Sequence, residues 1–410
     1  MAEKTADCRQ QSDLSPTAEH ARLGASNAER WMKCPGSVRL NEGLPRKTSA
    51  YAAEGIAAHE LAEQCLRNVA GGSNRGHVSA YYLGKEFAGQ EVTKDMCEAV
   101  QVYLTYLAKL TGASMRKPKI HVEVRVSLEN LDPPEEMFGT CDAVYYEEIS
   151  GTLYVVDYKH GAGVAVEIKD NPQLRYYALG AMLTLPYRVR SVTMVLVQPR
   201  AEHPDGPIRQ EAISAFELLE WGATLIDAAH AALPSPGASA PLNPGTWCRF
   251  CDAAPMCPAL RETAKEVAQT EFAGTPLPLV ERLTLVQMSE VLAQADLIEG
   301  WFRSIRSHLT DTLESGQEVP GWKLVPKRAV RRWADEAALT SWASEKGISS
   351  QLTNAPELKS PAQLEKSLGK NSIPSELIVK NSSGNKLAPS TDPRAPQVIT
   401  SAADEFTAIP

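Results

Sequence analysis

Between residues 119 and 200 the chain exchanges a helical hydrophobic period for an alternating one and then returns to it. Ile120, Val122, Val124 and Val126 alternate with His121, Glu123 and Arg125, which predicts a strand with the apolar side chains on one face and the polar ones on the other. Two further strands are predicted at about 139–148 and 152–159. Ile149-Ser150-Gly151 joins them, a length suited to an antiparallel hairpin. Asn171-Pro172 supplies an N-cap and a first-turn proline for a helix reaching about Leu185. The apolar run 189–197 follows as a buried strand. The order βββαβ puts the last strand across a helical connection from the hairpin. It therefore predicts an α/β chain with a mixed sheet flanked by helices.

Upstream, Ser26-Asn27-Ala28-Glu29 fits a capping box opening a short helix that stops at Cys34-Pro35. A second helix is predicted over about 52–69, bringing Ile56, His59, Leu61 and Leu66 near one another on its wheel. Downstream, residues 231–246 are rich in Pro, Gly, Ser and Ala and predict a loop. Thr284-Leu285-Val286-Gln287 is another capping-box match. The apolar stripe Met288, Val291, Leu292, Ala295, Ile298, Trp301, Phe302, Ile305 and Leu309 carries a long helix to Gly316, a surface for the body of the protein or for a second copy of the chain in a homo-oligomer. The organisation expected is a disordered arm (1–20), a main domain (21–265), a helical and basic C-terminal region (266–345) and a mostly flexible tail (346–410).

Composition narrows the class. Of 410 residues, 43% are apolar and 22% charged, as in globular chains. No apolar stretch is long enough to span a bilayer, and no secretory leader precedes the first element, so the expectation is a soluble, cytoplasmic protein without membrane contact. A formal net charge of −8 gives no general support for nucleic-acid binding, so any DNA contact must be local. In a reducing compartment the eight cysteines are ligands or core residues rather than disulfides.

The hairpin carries the chemistry. Phosphodiester hydrolysis calls for a divalent cation held by hard oxygen ligands. Asp142, in Gly139-Thr140-Cys141-Asp142, and Asp157, in Val155-Val156-Asp157-Tyr158-Lys159, fall near the same end of the hairpin if its turn centres on Ser150. Lys159 shares the face of Asp157 by alternation, where an ammonium can orient water or offset phosphate charge. A lone Asp-x-Lys is more often an exposed ion pair. Two carboxylates among apolar strand residues need a partner or a metal.

Gly-x-x-Asp, then Asp-Tyr-Lys, then Gln173-x-x-x-Tyr177, with a helical histidine upstream, resembles the motif set of RecB-type PD-(D/E)XK nucleases, including their CRISPR-associated and AddB-like branches. The resemblance implies a restriction-endonuclease-like core. It also implies Mg²⁺ or Mn²⁺ held by His59, Asp142, Asp157 and the backbone carbonyl of Tyr158, with Lys159 catalytic and Gln173 and Tyr177 lining the DNA path. Glu123 is a weaker addition, equally readable as a solvated strand residue. From about Ala21 to Ala337 the chain is also similar to phage and prophage RecB-like proteins of the DUF2800 type. Two positions depart from the wider pattern: Asp157 stands where relatives often carry Glu, and His160 where a small hydroxyl residue is common.

Cys248-x-x-Cys251 followed by Cys257 is a metal-ligand pattern lacking a local fourth ligand. The resemblance supplies Cys34, closing a [4Fe–4S] cluster; zinc on the same thiolates stays open on spacing. Cys8, Cys65, Cys97 and Cys141 are assigned to surface or core. Residues 321–333 hold Lys323, Lys327, Arg328, Arg331 and Arg332 with two tryptophans and no acid, a stretch suited to phosphates and stacked bases or to a solvated basic strand pair. The expected function is a DNA exonuclease acting on single strands or ends in phage replication or recombination. The alternative is a non-catalytic DNA-binding or scaffold protein recruiting phage replication or recombination proteins.

Overall fold

The computed structural model describes residues 21–44, 50–70, 76–112, 120–234, 239–272, 284–327, 330–349, 353–354, 357–369, 372–381, 384–390 and 396. The chain divides into two compact units, Met1–Leu297 and Ile298–Pro410.

In the first unit, five strands, β1 (Ile120–Ser127), β2 (Phe138–Glu147), β3 (Thr152–Tyr158), β4 (Ser191–Val197) and β5 (Ile208–Ser214), lie side by side in that order. Neighbours are antiparallel except β3 and β4, which run parallel. A parallel pair cannot be joined by a tight turn, and here the crossover includes a helix. The helices of this unit used below are α1 (Ala28–Lys33), α2 (Ala50–Ala70), α3 (Lys94–Leu110), α4 (Pro172–Thr184), α5 (Ala215–Ala232) and α6 (Pro258–Phe272). The mixed α/β sheet matches the order read from the sequence, with the edge strand β5 added to it.

Each sheet face carries its own core. On one, Leu153, Val155, Met194 and Leu196 pack against Trp31 of α1, Leu174 and Leu179 of α4 and Leu218 and Leu225 of α5. On the other, Val156, Tyr158, Val195 and Val197 pack against Leu61 and Leu66 of α2 and Met96, Val100 and Tyr103 of α3. Burying each such aliphatic side chain contributes about 1.5–3 kcal/mol, so both helical layers are fastened to the sheet by ordinary apolar contact.

The first two strands, β1 and β2, change faces midway. Ile120 and Val122 belong to the α2/α3 side, whereas Val124 and Val126 belong to the α1/α4 side. The apolar residues of β1 therefore do not all point one way. Glu123 between them takes a left-handed φ of 49°, which interrupts the pleat and reverses the side chains beyond it. On β2 the switch falls at the facing residue: Cys141 lies in one core and Ala143 in the other.

Local chemistry explains the starts of α4 and α5. The Asn171 side chain accepts the Leu174 amide at 3.1 Å at the start of α4, and Ser214 and Glu217 form a reciprocal capping box on α5. The box expected at Ser26 does not form. A 3-10 turn over Ala25–Asn27 leads into α1, which has no side-chain cap; the Trp31 indole N–H donates to the Gly24 carbonyl at 3.1 Å instead. On α2, Leu61 and Leu66 are buried but Ile56 is exposed, so it lies off the apolar stripe.

The long helix α7 (Leu285–Glu314) contains the division between the units. The second unit holds β6 (Trp322–Pro326), β7 (Val330–Trp333), α8 (Glu336–Glu345), α9 (Pro361–Leu368), β8 (Ile378–Asn381) and β9 (Asn385–Pro389). β9 pairs with β6 and β8 with β7, both antiparallel. Leu339, Ala343, Leu364, Ile373 and Leu377 form a small core. Much of the stretch expected to be a flexible tail from 346 is therefore folded. Its backbone is paired by strands too distant in sequence for composition to reveal. The unit boundary likewise falls at 297 rather than at 265 or 345. The expected arm 1–20 lies outside the described residues. Among the described residues no helix is long and apolar enough to cross a membrane.

Candidate active site and cysteine cluster

The β2–β3 ladder stops at Ala143↔Val156. The next residues in register are Asp142 and Asp157, and there the two strands exchange a side-chain contact in place of a ladder bond: Asp142 Oδ2 accepts the Tyr158 amide at 2.7 Å. Across β2 the flanking pairs Val122↔Ala143 and Val124↔Cys141 set Glu123 opposite Asp142. The face switch thus coincides with three carboxylates.

Helix α2 delivers His59, whose Nδ1 lies 3.5 Å from Asp142 Oδ1 and whose imidazole is about a third exposed, at 34%. Its ring meets the buried Tyr158 ring edge-on, with centroids 5.4 Å apart. Lys159 Nζ donates to Asp157 Oδ1 at 3.1 Å and stands 3.0 Å from Oδ2. Even so, Asp157 Oδ2 has no hydrogen bond in acceptable geometry and is shielded from solvent. A buried carboxylate oxygen without a donor is costly.

Charge sets the ionisation of the group. Burial pushes the Asp142 carboxyl up, but the His59 imidazole, Lys159 and the Tyr158 amide outweigh it and hold the group below the usual carboxylate range. Asp157 goes the other way: burial and the nearby Asp142 raise it despite Lys159. Glu123 is pushed up to about 7 by burial, Asp142 and Glu63. For Lys159 and His59, burial lowers the pKa, yet the two aspartates for the lysine, and chiefly Asp142 for the histidine, carry both above their ordinary values. The cluster groups three carboxyls with one ammonium and one imidazole, so its acids outnumber its basic groups.

Gln173 and Tyr177 share one face of α4, with Gln173 Nε2 3.5 Å from the Tyr177 hydroxyl. The Tyr177 phenol is pushed up by burial and by Asp157, which puts it within the field of the acidic group. Its ring also explains Gly139: a Cβ there would stand 2.8 Å from Tyr177 Cε1.

Sequence reasoning missed Glu54 and Arg200. Arg200 NH1 donates to Glu54 Oε1 at 2.7 Å and to His160 Nε2 at 2.5 Å, and His160 Nδ1 is 2.9 Å from the Tyr158 hydroxyl. Glu54 precedes His59 by five residues on α2, a spacing that carries no signal without the partner strand.

As they stand, among the described residues, no three His, Cys, Asp or Glu side chains form a group able to hold a metal, Cys34, Cys248, Cys251 and Cys257 included; in the acidic group His59 is engaged with Asp142, and Lys159 with Asp157. The donor set nevertheless suits a hard divalent cation. It offers two carboxylates, one of them with a buried oxygen that accepts no hydrogen bond and has only the Lys159 ion pair, and an imidazole beside them.

Cys34, at the end of α1, lines one small cavity with Cys248, Cys251 and Cys257. Three of the four sulfurs accept N–H groups: Cys34 from the Asn243 amide (3.2 Å), Cys248 from the Gly245 amide (3.4 Å) and Cys251 from the Asn41 side chain (3.3 Å). Such donors favour the thiolate form that binds metal. Burial pushes the Cys34 thiol up, and Cys248 is pushed up to about 11 by burial and by its neighbouring cysteines. A cationic centre shared by the four would relieve this. Cys65, Cys97 and Cys141 are buried elsewhere; Cys8 lies outside the described residues.

The basic segment belongs to the second unit. Lys323 lies on β6, Lys327 just beyond it, and Arg331 and Arg332 on β7; Arg328 lies outside the described residues. β6 and β7 pair with β9 and β8 rather than with each other.

The family described as "Protein of unknown function (DUF2800)" matches residues 20–395. Among solved structures, SSO0001 is similar over 55% of this chain and 95% of its own, at 17% identity and a TM-score of 0.23, a likeness too slight to bear an argument.

Proposed function

The chain belongs to DUF2800, and we propose that it is a metal-dependent DNA nuclease of the PD-(D/E)XK class, with a restriction-endonuclease-like core and a metal staple on four cysteines. The observation that carries this reading is the meeting of Asp142, Asp157 and Lys159 at one end of a buried hairpin, beside a helical imidazole. Ion-pairing needs alone do not call for two buried carboxylates side by side, since like charges at close range oppose burial.

His59, Asp142, Asp157 and the Tyr158 carbonyl would hold Mg²⁺ or Mn²⁺, which when bound polarises a phosphodiester and lowers the pKa of water. Asp142 Oδ2 is held in place by the Tyr158 amide, so opening the His59–Asp142 contact would free Oδ1 and the imidazole together as ligands. Lys159, charged and half enclosed, orients the attacking water and offsets the extra negative charge on the phosphorane-like transition state. Gln173 and Tyr177 offer an amide and a phenol along α4 to a passing strand. Cys34, Cys248, Cys251 and Cys257 would hold [4Fe–4S], or zinc, in a structural role. We assign the substrate as DNA, single-stranded or at ends, in phage replication or recombination.

The test is degradation of labelled DNA by the purified protein with Mn²⁺, on a panel of single-stranded, duplex and end-blocked substrates. Activity lost in both Lys159→Ala and Asp157→Ala is expected; activity retained in both removes the assignment. Anaerobic purification separates the two metals: brown protein with visible absorption carries iron and sulfur, and colourless protein containing zinc does not. The alternative, a DNA-binding or scaffold protein on a nuclease fold, has in its favour the basic strands of the second unit and the exposed Leu285, Leu292 and Phe302 of α7. It predicts binding without cleavage.

A further inference from the structure

Helix α2 carries His59 to the acidic group, but apolar packing alone leaves an imidazole free to shift by the fraction of an ångström that spoils a ligand set. The side chains behind it form a continuous polar chain. Tyr158, fully buried, presents its ring edge to His59 and its amide to Asp142. Its hydroxyl meets His160 Nδ1 at 2.9 Å, and the far nitrogen of His160 meets Arg200 NH1 at 2.5 Å. Arg200, just past β4, also binds Glu54 at 2.7 Å. Glu54 sits on α2, the helix that bears His59, so the chain leaves α2, crosses behind β3 and returns to α2.

We propose that Glu54, His160 and Arg200 are positioning residues that fix the His59 imidazole and the Tyr158 backbone relative to Asp142 and Asp157. This rests on the metal-dependent reading above. His160 is 3% exposed, a degree of burial that a polar ring tolerates only with both nitrogens partnered. His160 Nε2 lies between Arg200 NH1 at 2.5 Å and Glu54 Oε1 at 3.3 Å, and Nδ1 faces the Tyr158 hydroxyl, so both ring nitrogens have partners within the chain. The large ring fills the place where a small hydroxyl residue is common in the nucleases this chain resembles. A serine or threonine there lacks the reach to join Tyr158 to Arg200. The arrangement corresponds to the outer-shell partners that hold ligands in metal sites, whose loss weakens metal binding roughly 10- to 100-fold.

The experiment is Mn²⁺ binding to the full-length protein, followed by electron paramagnetic resonance, in the unmodified chain, His160→Ala, Arg200→Ala and Glu54→Gln. His121→Ala is the control: His121 is also tied to a tyrosine hydroxyl, that of Tyr187 at 2.7 Å, but stands outside the chain. Expected is a rise in the Mn²⁺ dissociation constant of about tenfold in His160→Ala and Arg200→Ala, less in Glu54→Gln, and none in His121→Ala. His160→Gln, whose amide can still donate to Tyr158, recovers part of the loss, which a merely destabilised fold would not. If His160→Ala does not fold, Arg200→Ala and Glu54→Gln decide alone. Unchanged affinity in the folded variants beside a binding-competent unmodified protein overturns the positioning role only. An unmodified protein that binds no Mn²⁺ overturns the parent reading and this one together.

Discussion

The acidic group and the cysteine cluster are built on different principles. Asp142 lies mid-strand where the β2–β3 pairing stops, Asp157 and Lys159 lie at and just past the end of β3, and both sheet faces are closed by apolar layers. Their spacing is a by-product of register, set by the sheet before any ligand arrives. The four cysteines sit on short turns: the end of α1, a 3-10 turn over Thr246–Phe250, the residue after it and the residue after Ala254–Met256. There the sulfurs line one cavity and are held by N–H···S contacts and by individual hydrogen bonds between turns, such as Gly36 to Pro241 and Ala253 to the Asn41 side chain, with no strand register behind them. The comparison teaches that one site is preorganised by the fold, whereas the other would owe its shape to what it binds.

The largest expected effect tests the first half of that contrast. Lys159→Ala or Asp157→Ala should cut DNA cleavage by at least about 100-fold, with circular dichroism and the thermal midpoint little altered. A comparable loss of fold would mean that the acidic group is scaffold rather than site. The second half is tested by Cys251→Ser or Cys34→Ser, which should lower stability by several kcal/mol if a metal staples the turns. Thermal unfolding measures it, and a midpoint unmoved in both variants would show that the cluster holds nothing structural.

Smaller effects sharpen the picture. Gly139→Ala should cost about 1–3 kcal/mol by overpacking against Tyr177, read from urea unfolding, and should disturb cleavage less than Lys159→Ala does. Asn171→Ala removes the α4 cap and should cost about 1 kcal/mol; the same titration detects it, with cleavage per folded molecule unchanged.

Legibility followed locality. The alternation of β1 to β3, the Asn-Pro start of α4 and the pairing of Asp142 with Asp157 are short-range consequences of period and turn length, and the sequence displays them. β5 was hidden because Arg209, Gln210 and Glu211 blunt its pattern: an edge strand with polar positions gives little apolar contrast. The face switch was hidden because a left-handed Glu123 has no compositional mark. Ile378–Asn381 and Asn385–Pro389 pair with strands about fifty residues or more earlier, and local propensity does not see a partner that far away. Glu54 and Arg200 are 146 positions apart, beyond any motif. The acid–lysine core was therefore readable, while the groups behind it emerge only once the sheet brings their segments together.

The seating of Cys34 bears on how the molecule is made. The Gly36 amide donates to the Pro241 carbonyl at 2.8 Å, and the Asn243 amide to the Cys34 sulfur. The turn that ends α1 is thus completed by residues synthesised about two hundred positions later. On the ribosome α1 must wait, its apolar face and thiol unguarded, until the sheet and the 240s have emerged. That interval, rather than the finished fold, is when this chain is most open to thiol oxidation and to a chaperone.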